Sequence, residues 1–246
     1  MNPKAYKNEV KEQAIKNKPL DNIEDNVILP SIRTVQDEIN GYIENLLYIE
    51  VKSEILRRSD YRPFDENMVL WDLLNKPIVF NDASKYKIIN KWPSYTIKET
   101  DIEPRELIQL GYKDWFFLDL LLGVDYLKTF SMLRELPEKD KYYLCRDVAC
   151  TNAYLSSSYY AYNSGAKMII YPDGTYPFIT NSNLTETEQV LRDGKVKEFT
   201  HLKPDRIHYC LMKALISFNT CCPSMNQESN DLIEKERNKY DWKTRS

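Results

Sequence analysis

The chain alternates between long stretches with helical apolar spacing and shorter stretches without it. From Ser31 to about Arg58 the apolar side chains recur three or four residues apart, which predicts one long helix with Ser31 as its N-cap. The apolar positions are Ile32, Val35, Ile39, Tyr42, Ile43, Leu46 and Leu47. Residues 1–28 are polar and charged without such a period, so we interpret them as a tail or linker and place the folded domain at 29–246.

Residues 61–101 predict a long loop between the first helix and the next one. Prolines and an Asn-Asp pair interrupt any apolar period in this segment. A short helix from about Val69 to Leu74 is the regular element that we expect within it.

Two buried helices are predicted in the middle of the chain. Nearly every residue from Trp115 to Phe130 is apolar, which indicates a central helix covered on most sides by other helices. After a short polar break, Pro137 fits a first helical position, and a second long helix, also largely buried, runs to about Asn163.

The central helix carries four charged residues in two different settings. At about 100° per residue around the helix, Asp114, Asp125 and Lys128 fall within one narrow stripe, which predicts a single solvent-exposed edge. Asp119 lies on the otherwise apolar side. A buried lone carboxylate is costly unless it is paired, so Asp119 needs a partner.

The last third of the chain predicts a hairpin followed by more helices. The stretch "AKMIIYPDGTYPF" has a β-branched and aromatic run, a Pro-Asp-Gly turn at 172–174 and a second aromatic run, which indicates a small β-hairpin. Helices are then predicted at about 186–198, over "DRIHYCLMKALISFN", and over "NQESNDLIEKERNKY" with Asn226 or Ser224 as its N-cap. The fold class is therefore all-α with one hairpin.

Composition and charge exclude several classes of function. The 246 residues carry a net charge of −3, so no strong positive field attracts nucleic acid or anionic lipid, and direct DNA binding by this chain is disfavoured. No apolar run approaches the ~18 residues of a membrane helix, which favours a soluble intracellular protein without a membrane partner. The cysteines are odd in number and predict reduced thiols. They are Cys145, Cys150, Cys210, Cys221 and Cys222.

Sequence motifs for catalysis and metal binding are missing. The phosphate-loop, dinucleotide-binding, zinc-protease and nucleophile-elbow motifs do not occur. Asp114, Asp119 and Asp125 are too unevenly spaced around one helix for a metal-binding carboxylate cluster, and His201 and His208 are close to no obvious acid triad. We therefore expect a protein that is not an enzyme and uses no cofactor. An all-α lipid-modifying enzyme is a distant alternative.

The stretch "VDYLKTFSMLRELPEKDKYYLCRD" carries a family resemblance. It keeps the spacing of the nuclear-receptor ligand-binding domain signature, although Leu127, Phe130-Ser131 and Lys141 depart from the usual identities. The matching positions are Tyr126, Leu127-Lys128, Phe130-Ser131, Leu133, Leu136, Asp140-Lys141, Leu144-Cys145 and Arg146. The "YPDG", "LMKALISFN" and "LIEKERNKY" segments are similar to the expanded nematode branch of that family, so the resemblance covers roughly residues 31–243.

The resemblance implies a three-layer antiparallel α-helical sandwich in a transcription regulator of the nucleus, with the cytoplasm as a second location. It also implies a surface groove for a co-regulator helix of LxxLL type. In the family, the lysine at the position of Lys128 hydrogen-bonds the C-terminal carbonyls of that helix. Arg146, Leu133 and Leu144 would line the same groove. On spacing alone, Lys128 is more simply an exposed lysine with Asp125 as a weak partner.

The resemblance further implies a small lipophilic ligand in the helical core. Asp119 and Tyr160 would form the polar end of the pocket, with Trp115, Phe116 and Ser156 beside them. Alternatively, Asp119 bonds a neighbouring backbone or tyrosine and large aromatic side chains fill the pocket. The chain would then be a ligand-independent interaction module, a decoy or remnant of the same fold.

Compared with the family, some segments are expected to be missing from this sequence. No cysteine precedes Cys145, so we expect no zinc-finger DNA-binding module in the residues given. The tenth to twelfth helices of the family are likewise expected to be missing. Because two of those helices form the usual dimer face, dimerisation is doubtful.

Overall fold

The structure is a computed structural model that describes residues 35–63, 67–93, 106, 109–177, 185–218 and 223–241. The predicted tail at 1–28, the predicted N-cap Ser31 and the cysteine pair Cys221 and Cys222 lie outside the described residues. The described cysteines are free thiols: Cys145 and Cys210 are buried, and Cys150 is exposed.

Helices dominate the described residues, which confirms the all-α prediction. Their bounds are α1 Val35–Arg58, α2 Leu70–Asn75, a 3₁₀ helix Val79–Lys85, α3 Trp115–Lys128, α4 Ser131–Glu135, α5 Glu138–Asn163, α6 Glu186–Asp193, α7 Val196–Leu202, α8 Arg206–Ser217 and α9 Gln227–Arg237. The short helix α4 lies where the sequence predicts a polar break, and the 3₁₀ helix lies in the predicted loop.

Local sequence explains where these helices begin. Asp114 caps α3 by accepting a hydrogen bond from the Phe117 N–H at 2.9 Å, and Asn226 caps α9 by accepting from the Ser229 N–H at 2.8 Å. Asn226, rather than Ser224, is therefore the N-cap of α9. α5 begins after Pro137 and has Glu138 in its first turn, where the helix dipole favours negative charge.

α3 and α5 form the centre of the described fold. They pack against each other more extensively than any other pair of described helices, and α5 also contacts α2, α7 and α8. Gly123 permits the close approach, because a Cβ at that position would lie 3.3 Å from the Ala149 carbonyl oxygen. α1 packs against α8, α3 and the 3₁₀ helix, so it covers the central pair from one side.

Lys113 closes the C-terminal end of α1. Its buried Nζ donates to the carbonyl oxygens of Leu56, Arg57 and Ser59 at 3.0, 2.8 and 2.7 Å. The last carbonyls of a helix have no partner within the helix. The Leu56 oxygen also accepts from the Ser59 hydroxyl at 3.0 Å, and the amine supplies a donor to the Arg57 and Ser59 oxygens. Lys113 thereby fixes the position of Arg57.

The predicted hairpin is wrong within the described residues 167–177, where the chain forms a turn and no strand. The Tyr171 N–H donates to the Thr175 oxygen at 2.9 Å, but the Ile169 N–H donates to the Arg192 oxygen of α6 at 2.9 Å. The β-branched run therefore takes a partner from a helix end instead of pairing across the turn. The second arm of the prediction continues into residue 178, outside the described residues.

The single helix predicted at 186–198 is broken into α6 and α7 at Gly194. This glycine has a φ of +59°, a left-handed conformation that favours glycine. A Cβ at this position would lie 2.6 Å from Ile169 Cδ1 and 2.7 Å from Ser158 Oγ. The break therefore packs directly onto α5 and the 167–177 turn.

Substituting Gly194→Ala should destabilise the fold by about 2–5 kcal/mol, because left-handed strain and overpacking add. Gly165→Ala is the matched control, since Gly165 also has a positive φ of 78° but nothing lies within 4 Å of the added Cβ. Its cost should stay at about 1–2 kcal/mol of strain. Urea unfolding of both variants measures the difference, and equal losses would contradict the packing described here.

Substituting Lys113→Met should lower the free energy of unfolding by about 2–3 kcal/mol, because the Arg57 and Ser59 carbonyls lose this donor while the Leu56 carbonyl keeps its bond from Ser59. Lys139→Met removes the same charge from an exposed position at the start of α5 and should change stability by no more than about 0.5 kcal/mol. Chemical denaturation at one pH compares the two, and a Lys113 variant as stable as the control would refute the capping role.

Candidate functional site

Asp119 has a charged partner, Arg57, at the end of α1. The Arg57 Nη1 donates to Asp119 Oδ1, and the two side chains are only 5% and 1% exposed. Ser157 of α5 donates its hydroxyl to Asp119 Oδ2 at 2.8 Å. The predicted need for a partner is thus met within the chain, by an arginine and a serine.

Arg57 also contacts Tyr160, the other residue predicted for the polar end of the pocket, and so links it to Asp119. The guanidinium lies 4.2 Å from the centroid of the Tyr160 ring and 5.7 Å from that of Trp115. In the resemblance, steroid-type relatives place an arginine on the fifth helix at the position of Tyr160. Here the guanidinium beside Asp119 comes from Arg57 of α1, and α5 contributes the Tyr160 ring.

The polar contacts continue from Tyr160 to α8. The Tyr160 hydroxyl donates to Glu50 Oε1, and Glu50 Oε2 accepts from Lys213 Nζ at 3.1 Å. Burial, reinforced by the charge of Glu50, raises the pKa of Tyr160 well above its usual range, so its hydroxyl remains a donor. Two cations and two anions, Lys213, Glu50, Arg57 and Asp119, balance in this buried network.

A cavity of about 450 Å³ lies beside this network. Its lining contains aromatic rings together with charged and amide groups. The lining residues used below are Arg57, Arg58, Asn90, Trp92, Trp115 and Tyr160. A mostly apolar cavity of this size with a few placed polar groups is typical of a small-molecule site. Trp115 is held rigidly at this wall, because its Nε1 donates to Asp173 Oδ2 at 2.7 Å.

The other predicted pocket residues lie around this cavity rather than within it. Asp119 does not line it but holds Arg57, which does. Phe116 lines a second, more apolar cavity of about 310 Å³, which shares Ser157 and Tyr171 with the first. The Ser156 hydroxyl is 3.0 Å from that of Tyr209 on α8, so Ser156 joins two helices and contacts neither cavity.

Lys128 is buried, contrary to the expectation of a surface helix end. Its side chain is 8% exposed, and its Nζ donates to Asp125 Oδ1 at 2.8 Å, the Leu73 oxygen at 3.0 Å and the Lys76 oxygen at 2.6 Å. Asp125 Oδ2 accepts from the Val79 N–H at 2.7 Å. Burial raises the pKa of Asp125, against the opposing effect of Lys128. α2 and the 3₁₀ helix thus cover Asp125 and Lys128, two of the three residues of the predicted solvent-exposed edge.

The predicted groove residues are only partly brought together. Lys128 and Leu133 line one cavity of about 240 Å³ beneath α2. Leu144 is 1% exposed within the core, and Arg146 lies on the outer face of α5, where it bonds Asp147 and stacks 5.0 Å from the ring centroid of Tyr143. Leu144 and Arg146 are two positions apart on α5, so their side chains point about 200° apart around the helix axis and cannot share a face.

Sequence reasoning missed the residues that complete the buried network around Asp119. A charged residue that interrupts an apolar helical pattern is a sign of a buried charge, and this signal was present at Arg57, Glu50 and Lys213. Among the described residues, no group of three His, Cys, Asp or Glu side chains could hold a metal ion. Within the same part of the chain, no helix has the length and apolar character needed to cross a membrane.

Comparisons with known proteins agree with the resemblance. A family model described as the ligand-binding domain of nuclear hormone receptor matches residues 99–241, more than half of the chain. Nuclear hormone receptor family member nhr-60 of Caenorhabditis elegans is 28% identical over 229 residues, which cover 87% of this chain and 50% of that protein. Family member nhr-154 of the same organism is 25% identical over 253 residues, covering 98% of this chain and 52% of that protein.

A third relative, family member nhr-68 of the same nematode, is 24% identical over 214 residues, covering 85% of this chain and 53% of that protein. The chain therefore spans about half the length of the curated relatives it matches. No solved structure matches it. The extent of the family match, together with the helical fold, shows that this chain belongs to the nuclear hormone receptor ligand-binding domain family.

Proposed function

We propose that this chain is the regulatory domain of a nuclear-receptor-type transcription factor and binds a small lipophilic ligand in the cavity beside Arg57. Members of the family are regulatory, non-enzymatic transcription factors, and the nucleus is the location that this role implies. The observation that carries the proposal is the cavity of about 450 Å³, which lies against the buried Arg57–Asp119 pair.

The lining of the cavity defines the chemistry of the ligand. Trp92 and Trp115 pack edge to face, with ring centroids 5.0 Å apart and planes at 62°, and form an aromatic wall for an apolar body. Arg57, Arg58 and Asn90 offer donors for one polar or acidic group. The ligand would therefore be amphipathic, with an apolar body larger than its polar end.

Co-regulator binding is the second part of the proposed function. Lys128 lies at the end of α3 with its ammonium directed at the carbonyls of Leu73 and Lys76, and Leu133 lines the cavity beside it. A short co-regulator helix would place its own C-terminal carbonyls at this ammonium in place of those two, where its dipole is favourable. Arg146 and Leu144 have no part in this groove.

A ligand-independent interaction module is the alternative, and one observation favours it. Asp119 has both carboxylate oxygens bonded by side chains of this chain, so it has no need of a ligand. The network around it is also balanced in charge. Under this alternative, the co-regulator groove would act without any occupant in the core.

A native mass spectrum of the purified chain tests the ligand proposal. We expect a compact ion with added mass from a co-purified lipophilic molecule. Ile170→Trp should remove that added mass, because Ile170 lines the cavity and the larger ring would fill it. Ile207→Trp is the matched control: Ile207 is 40% exposed, against 37% for Ile170, and does not line this cavity.

The added mass should persist in the Ile207 variant. An adduct that is equally abundant in both variants would place the ligand elsewhere. Compact ions without an adduct in all three proteins would favour the ligand-independent module.

A further inference from the structure

The short helix α2 has a sequence pattern that matches the proposed groove. Residues 70–74 read Leu-Trp-Asp-Leu-Leu. Leucines at the first, fourth and fifth positions fall on one face of a helix, because neighbours on a helix surface are three and four residues apart. This is the LxxLL pattern that the groove beside Lys128 would receive from a co-regulator.

α2 is also seated on that groove. The Lys128 ammonium donates to the carbonyl oxygens of Leu73 and Lys76 at its C-terminal end, where the dipole is negative. Leu74 lines the cavity of about 240 Å³ together with Leu133. On the other side, the Trp71 ring stacks on Tyr142 of α5 with centroids 5.1 Å apart and planes at 20°.

We propose that α2 occupies the co-regulator groove of its own chain, and that this face is an interaction surface for an external helix of the same LxxLL pattern that binds by replacing α2. The inference rests on the groove in the proposed function. It identifies α2 as the occupant of that groove. An external partner must therefore compete with a segment of the chain itself.

The way in which α2 is held suits replacement. It has six residues, no side-chain N-cap and no fully buried residue, and its Trp71 remains 41% exposed. Helices this short are marginal on their own, so α2 persists through its packing and the Lys128 contacts. The chain after α2 has an anchor outside α2, because the Val79 N–H is bonded to Asp125, the ion-pair partner of Lys128. The segment can therefore lift while the chain on its C-terminal side stays fixed.

A tethered occupant lowers the apparent affinity of any free competitor by the fraction of time that the groove is open. The probe is a fluorescein-labelled synthetic peptide with the sequence of residues 67–78, NMVLWDLLNKPI, whose anisotropy is measured with the whole chain. Leu73→Ala combined with Leu74→Ala removes the two leucines that hold α2 in place. This double variant should bind the peptide at least about tenfold more tightly than the wild type.

Two further variants support the comparison. Trp71→Ala loses only a half-exposed ring, so it keeps the core intact and should also tighten binding. Val69→Ala is the matched control, because Val69 lies next to α2 but is 53% exposed, and it should bind as the wild type does. A peptide with alanine at the two corresponding leucines should not bind.

The outcomes separate this inference from the groove itself. Adding Lys128→Met to the double variant should abolish the gain in affinity. Equal affinities in wild type and α2 variants, lost with Lys128→Met, would overturn the self-occupied groove and leave the groove standing. No binding to any variant would overturn both, and tight binding that survives Lys128→Met would place the peptide on another surface and refute the inference.

Discussion

Arg57 and Asp119 bring opposite charges together inside the core, and the packing of α1 on α3 depends on that contact. Neither charge could remain buried without the other, because removing one partner of a buried pair typically costs about 3–5 kcal/mol. Ser157 extends the contact to α5 through Asp119, and Lys113 fixes the end of α1 from which Arg57 projects. Four segments of the chain are therefore positioned by one ion pair and its hydrogen bonds.

The same pair gives the proposed ligand cavity its polar wall. Asp119 bonds the guanidinium, and the rings of Tyr160 and Trp115 lie next to it, so Arg57 is held in place at the wall of the cavity. The helix that carries Asp119 ends in Lys128, which belongs to the groove at which α2 is seated. α3 thus contributes one charged residue to each of the two proposed sites.

The sequence predicted most of the helices and few of the contacts between them. α1, α3, α5, α8 and α9 follow from apolar periodicity and capping residues, because both signals are local. The Arg57–Asp119 pair joins residues far apart in sequence, and no local pattern specifies such a contact. The hairpin prediction failed because Ile169 found its backbone partner at the end of α6.

The groove beside Lys128 also depends on contacts that local sequence patterns do not specify. Lys128 was predicted at the surface because the segment that covers it lies in a loop where prolines interrupt every period. The Leu-Trp-Asp-Leu-Leu pattern at 70–74 was visible in the sequence, but only the structure places it against Lys128.

The role of the Arg57–Asp119 pair is tested most directly by a double-mutant cycle on the free energy of unfolding, with Arg57→Met, Asp119→Asn and the double variant. We expect each single variant to lose about 3–5 kcal/mol and the double variant to recover about 2 kcal/mol or more of their sum. Losses that add to within about 0.5 kcal/mol would show that the pair does not organise the core.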